Sequence, residues 1–150
     1  MQLKVPPVAV LIVAMLLLFA GARLLPQLSV SFPGQMLLAI MFVFVGILPG
    51  GQAIRSFVQS KTTVNPMAPE TATKLVTEGI YRFSRNPMYL GMLCLLLALS
   101  IYWGTLTAFV ILPLFVWYMT EFQIKPEEES LKEIFGSSYL EYLSKVRRWF

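Results

Sequence analysis

Histidine and aspartate are both missing from the 150 residues, and cysteine occurs once, at Cys94. Without histidine there are no imidazole acids or bases, no His-based triads and no His metal sites, and no metal is expected. A single thiol allows no internal disulfide framework. Charge is scarce too: 13% of residues are charged against 57% hydrophobic, where soluble domains run about 25% and 45–50%. A soluble fold of this length cannot hide so much apolar surface, because much of its exterior must face water. The chain is therefore read as one all-α, polytopic membrane domain. No Gly-rich strand-to-helix loop of the dinucleotide-binding kind occurs, and no nucleic-acid partner is expected.

What is present is long apolar runs. A membrane crossing takes roughly 20 mostly apolar residues. The first span is expected from about Val5 to Ala22, between Lys4 and Arg23. The second lies in the uncharged stretch from Leu24 to Ile54, after the turn-forming Ser31-Phe32-Pro33-Gly34. Pro49-Gly50-Gly51 should loosen or kink it. The uncharged run from Asn86 to Thr120 is too long for one crossing, and Trp103-Gly104-Thr105 offers a turn in its middle. A hairpin of two helices follows, about Tyr89–Tyr102 and Leu106–Met119, short enough to need local bilayer thinning. Pro113 should bend the second. Residues 1–57 thus form two N-terminal transmembrane helices, and residues 58–150 a core of loop, hairpin and tail.

Basic residues collect on the cytoplasmic side of membrane proteins. With four spans, one side receives Lys4, five basic residues from Arg55 to Arg85, and five from Lys125 to Arg148; the other holds only Arg23. Eleven against one makes both termini cytoplasmic. Lys4, the run Val8–Ala20 and Ala20-Gly21-Ala22 also fit a cleavable signal peptide. Cleavage would leave three spans with unchanged orientation; a retained first helix is the preferred reading.

Two cytoplasmic segments carry the polar chemistry. In the loop from Gln59 to Pro87, Pro66 and Pro87 each follow an Asn, which favours extended and turn conformations. Pro87 suits a first helical turn, with Asn86 as its cap. The amides of that helix start, flanked by Arg82 and Arg85, suit a carboxylate or phosphate; taken alone, anchoring to anionic lipid is the simpler reading. In the tail, Glu127-Glu128-Glu129 suits a helix start. Gly136-Ser137-Ser138 should break or cap that helix, and Tyr139, Tyr142, Leu143 and Val146 mark one face of the next. Interfacial packing would explain the two tyrosines equally well. Cys94 reads as a buried apolar residue.

Together these segments resemble the isoprenylcysteine carboxyl methyltransferase and phospholipid methyltransferase superfamily. Its first motif, Arg-(His or Asn)-Pro-x-Tyr-x-Gly, matches Arg85-Asn86-Pro87-Met88-Tyr89-Leu90-Gly91 within the similar stretch Leu75–Gly91. The second motif matches Glu127-Glu128, Leu131, Phe135-Gly136, Tyr139 and Tyr142. Thr62-Thr63-Val64-Asn65-Pro66 also resembles bacterial relatives, so the likeness runs from about Thr62 to Arg148.

The resemblance implies an integral membrane enzyme of the small bacterial or archaeal type, active at the cytoplasmic face. It implies S-adenosylmethionine as methyl donor, S-adenosylhomocysteine as product, and a small lipophilic or membrane-bound acceptor or lipid. Carried across position by position, it implies cofactor contacts from Tyr81, Arg85, Asn86, Pro87, Tyr89, Gly91, Glu127 and Glu128. No catalytic residue is assigned. Asn86 stands where the carboxyl methyltransferases have His, and it cannot titrate. Two alternatives stay open: an NADPH-dependent oxidoreductase of the sterol-reductase type, and a non-catalytic membrane scaffold. The Glu pair would repel a nicotinamide cofactor's phosphates.

Overall fold

Proline at a first helical turn forfeits an N–H that would have had no intrahelical partner anyway. Two of the long helices start this way. The computed structural model describes residues 5–60 and 73–150; the Thr62–Pro66 match lies outside the described residues. Helix α1 spans Pro7–Leu24 and α2 Gln35–Ser60. A 3₁₀ turn at Gly79–Arg82 leads to α3, Pro87–Trp103. Helix α4 covers Ala108–Met119 and runs through a π-turn, Thr120–Ile124, into α5, Lys125–Lys145. No strand occurs among the described residues, only an isolated bridge between Ser29 and Thr105.

Among the described residues, three helices are long and apolar enough to cross a membrane: α1, Gln35–Ser56 of α2, and the continuous rod that begins at Ala108. Helix α3 is apolar but has 17 residues. Outward faces carry bare apolar side chains such as Leu16, Leu37 and Phe109, as expected where hydrocarbon, not water, is the neighbour.

Several expectations shift. Pro49 removes one backbone donor from α2, yet the helix continues past Ile54 to Ser60. The hairpin of α3 and α4 forms and α4 ends at Met119, but the chain stays helical through the π-turn into α5. The Glu run accordingly sits inside a continuous rod, not at a free helix start: the residue before α5, Ile124, is itself in the right-handed helical region. Gly136, at φ 52° and ψ −125°, does break the helix as expected: α5 is two helical segments that meet at a kink there. Cys94 is half-buried, not buried.

The two ends of the bundle are built differently. At one end the α1–α2 connection pairs with the α3–α4 turn: Val30 N–H donates to Gly104 O (2.8 Å) and Leu106 N–H to Leu28 O (2.7 Å). Gln35 Nε2 caps α3 by donating to Ile101 O (2.7 Å) and Tyr102 O (3.1 Å). Gly104 ends α3 at φ 64°, and any Cβ there would collide with the Val30 carbonyl. At the opposite end, Gln123 Nε2 donates to Val5 O, setting the end of α4 beside the start of α1. The start of α3 and the polar tail lie at this same end.

Between the ends, α2 and α3 pack backbone to backbone. A Cβ on Gly91 would lie 2.7 Å from Gly46 O, and one on Gly46 would lie 2.9 Å from Gly91 O and 3.0 Å from Cys94 Cβ. Small residues give membrane helices this close approach. The main core joins Ala14 and Leu18 of α1, Tyr89 and Leu96 of α3, and Phe115 and Met119 of α4.

Gly46→Val should therefore force α2 from α3 and cost about 1–3 kcal/mol, as overpacking does. Gly50→Ala, where a Cβ meets nothing within 4 Å, should be neutral or slightly stabilising. Thermal unfolding in detergent checks the pair; equal effects would count against the contact.

Candidate functional site

A helix that opens on proline needs its preceding residues anchored elsewhere, and here a second piece of chain does it. Asn86 occupies the cap position of α3, at φ −129° and ψ 55°, but its side chain makes no cap bond. Its Nδ2 instead donates to Arg148 O at 2.9 Å. Asn86 N–H is taken by Ser84 Oγ at 3.1 Å, and Arg85 N–H donates to Arg147 O at 3.1 Å. Residues 147 and 148 thus run as a strap along residues 84–86. Trp149 fastens the strap: its Nε1 donates to Thr120 Oγ1 in the π-turn (3.2 Å), and its ring packs on the main core.

Under the strap lies Glu128. Arg85 Nη2 is 3.0 Å from Oε1; Arg148 reaches Oε1 with Nε (3.0 Å) and Oε2 with Nη2 (2.8 Å). Side-chain exposure is 8% for Glu128 and 10% for Arg85, so this ion pair is desolvated and depends on its geometry. Arg85 Nε, also buried, has no hydrogen-bond partner among the described residues. Arg82 is exposed and outside the cluster.

Successive helical residues point about 100° apart, so Glu127 faces elsewhere. Its Oε2 accepts the Tyr89 hydroxyl at 3.1 Å, and it has no ion pair among the described residues. Burial pushes the Glu127 carboxyl up to about 7; the Tyr89 hydrogen bond opposes this and the Glu128 charge adds to it.

Tyrosines form the remaining wall. Tyr139 is 2% exposed, and its ring centre lies 6.1 Å from that of Tyr142. Tyr142 donates to Tyr81 O at 2.7 Å, tying the bent half of α5 to the 3₁₀ turn. Burial holds the Tyr81, Tyr139 and Tyr142 phenols protonated, well above their usual range.

The structure brings Tyr81, Arg85, Asn86, Pro87 and Tyr89 together with Glu127 and Glu128 at one end of the bundle. Gly91 stands apart, a turn further along α3 against Gly46. Sequence reasoning missed Arg148, which counts there only among the five basic residues from Lys125 to Arg148. It also missed Gln123, buried in the π-turn with Oε1 unpartnered.

A family model described as phospholipid methyltransferase matches residues 34–138. The chain belongs to this family. Among curated relatives of this phospholipid methyltransferase family member, a protein-S-isoprenylcysteine O-methyltransferase of Schizosaccharomyces pombe is 31% identical over 124 residues, covering 77% of this chain and 52% of the relative. A probable protein-S-isoprenylcysteine O-methyltransferase of Oryza sativa subsp. japonica is 31% identical over 137 residues, covering 89% and 69%. An uncharacterized protein of Haemophilus influenzae is 40% identical over 62 residues, 41% of this chain and 98% of that one. The chain spans about half the length of the yeast relative. No solved structure matches it. The matched family region holds the first motif and the second as far as Gly136, and stops at residue 138, short of Tyr139, Tyr142 and Arg148.

The Glu127 carboxyl has a native pKa above its ordinary 4.5, so the folded state favours the proton. Its contribution to stability is complete below about pH 4.5 and is lost as pH rises through about 7, on the order of 3 kcal/mol. Glu127→Gln should flatten that part of the melting-temperature profile of the ligand-free protein. An unchanged slope between about pH 5 and 7.5 would mean another group titrates.

Proposed function

We propose that this chain is an S-adenosylmethionine-dependent methyltransferase acting at the cytoplasmic face on a small lipophilic or membrane-bound acceptor. The observation that carries the reading is a pair of unmet demands at one site. Among the described residues, Arg85 Nε is a buried donor without an acceptor, and Glu127 is a carboxyl without a cation. An amino-acid zwitterion answers both, its carboxylate taking the Arg85 donor and its ammonium facing Glu127. The names of the relatives in yeast and rice support a methyl donor.

When bound, S-adenosylmethionine supplies a methyl group already activated on a sulfonium. The chain's task is then to hold donor and acceptor in line, so positioning can provide most of the catalysis. Tyr89 fixes Glu127 through its hydroxyl. Tyr139, close enough for its phenol to feel Arg85, Glu127 and Glu128, offers a ring for the adenine or sulfonium. Arg85 and Glu127 would hold the donor so that its methyl faces the acceptor's nucleophilic atom, with S-adenosylhomocysteine as the leaving product. None of these steps needs histidine.

An apolar groove of about 490 Å³ lies between α3 and α4, lined by Leu93, Leu97, Leu112, Pro113, Val116 and Trp117. Leu93 and Leu97 continue the helical stripe that starts at Tyr89. A lipid tail in this groove would leave its head beside Glu127. The concentration of basic residues at this end supports a cytosolic placement of the site, where the donor is made.

Calorimetry on detergent-solubilised protein tests the cofactor. Wild-type protein should bind S-adenosylhomocysteine saturably, more tightly at about pH 8 than at pH 6 as Glu127 ionises. Arg85→Ala and Glu127→Ala should each weaken binding about tenfold or more, 1.4 kcal/mol or above. No binding by folded wild-type protein, with binding of NADPH, would move the assignment to a reductase. Once an acceptor is found by a labelled-methyl screen, Leu97→Trp should raise its KM by filling the groove and leave S-adenosylhomocysteine affinity unchanged. A fall in that affinity instead would place the groove in the cofactor pocket.

A further inference from the structure

The Arg85–Glu128–Arg148 cluster is out of balance. Two guanidiniums meet one carboxylate, which leaves one positive charge over in a largely desolvated place. Arg148 meets both Glu128 oxygens through Nε and Nη2, the two-point grip that suits a carboxylate. Arg85 touches Glu128 with Nη2 alone, and its Nε is unpartnered although the side chain is nine-tenths buried. The surplus charge therefore belongs to Arg85, and an anion is the partner it lacks.

Arg148 is fixed from both sides, so this pairing is not a loose surface contact. The backbone carbonyls of Arg147 and Arg148 accept from Arg85 N–H and Asn86 Nδ2. Trp149 is hydrogen-bonded to Thr120 and packed on the core. The guanidinium between them is delivered to Glu128 with little conformational freedom left to lose.

We propose that Arg148 is a positioning residue for cofactor binding: it neutralises Glu128, so that Arg85 keeps its charge and its Nε for the ligand's carboxylate. This rests on the cofactor reading above and assigns a role to a residue outside both sequence motifs. Without Arg148, Arg85 becomes the sole counter-ion of Glu128, and a second carboxylate at the same site meets repulsion.

The test compares two ligands on the full-length protein in detergent: S-adenosylmethionine, and decarboxylated S-adenosylmethionine, which keeps the sulfonium, ammonium and adenosine. Arg148→Gln should lose about tenfold or more in affinity for the first and less than about threefold for the second. Arg148→Lys, which restores the charge without the fork, should recover most of the discrimination and guards against a misfolded glutamine variant; melting temperatures are measured alongside. Equal losses for both ligands would overturn the proposal and leave the strap as a structural closure. If wild-type protein binds neither ligand, the cofactor reading fails, and this inference with it.

Discussion

A carboxylate buried away from water must be met by opposite charge and hydrogen bonds, or it will not stay ionised. Glu128 is met by two guanidiniums that come from opposite sides of it in sequence, Arg85 before α3 and Arg148 in the strap. Satisfying that one group pulls three separate segments to a common point. Once they are there, Asn86 turns to the strap, Tyr142 reaches the 3₁₀ turn, and Glu127 is left to face Tyr89. Neighbouring carboxylates thus acquire opposite characters. Glu128 is saturated by arginine; Glu127 has a single phenolic partner among the described residues.

The far end of the bundle answers a different need. The α1–α2 connection and the α3–α4 turn supply each other's backbone hydrogen bonds, and Gln35 closes the end of α3. Polar backbone is thereby satisfied at the end that carries almost no charge. Gly46 and Gly91 then allow α2 and α3 to touch without intervening side chains. Gly91 therefore serves helix packing in the first motif, whatever else it does, whereas Arg85, Asn86 and Tyr89 turn their polar atoms to the site.

Much of this was legible in the sequence, and the reasons differ by element. Apolar run length sets helix positions, so the first two spans and the hairpin fell within a few residues of where they lie. The Gly104 turn was visible because only glycine fits its left-handed backbone beside Val30. The two motifs singled out seven residues that share one end of the bundle. What was hidden depends on closure in three dimensions. Arg148 reads as one more basic residue in a charged tail until the strap brings it to Glu128. The continuity of α4 with α5 was masked because Thr120–Lys125 is polar enough to look like the end of a membrane helix. A π-turn carries the chain through it with no composition signal of its own.

That continuity ties the site to the lipid around it. A helix longer than the hydrocarbon layer adjusts by tilting, and α4 passes through the π-turn into α5, whose first turn holds Glu127 and Glu128. Tilting α4 therefore swings the acidic wall against the start of α3, where Arg85 and Tyr89 stand. Bilayer thickness becomes a coordinate of that arrangement, and the same polypeptide in a thin and a thick membrane presents two settings of one cluster of side chains.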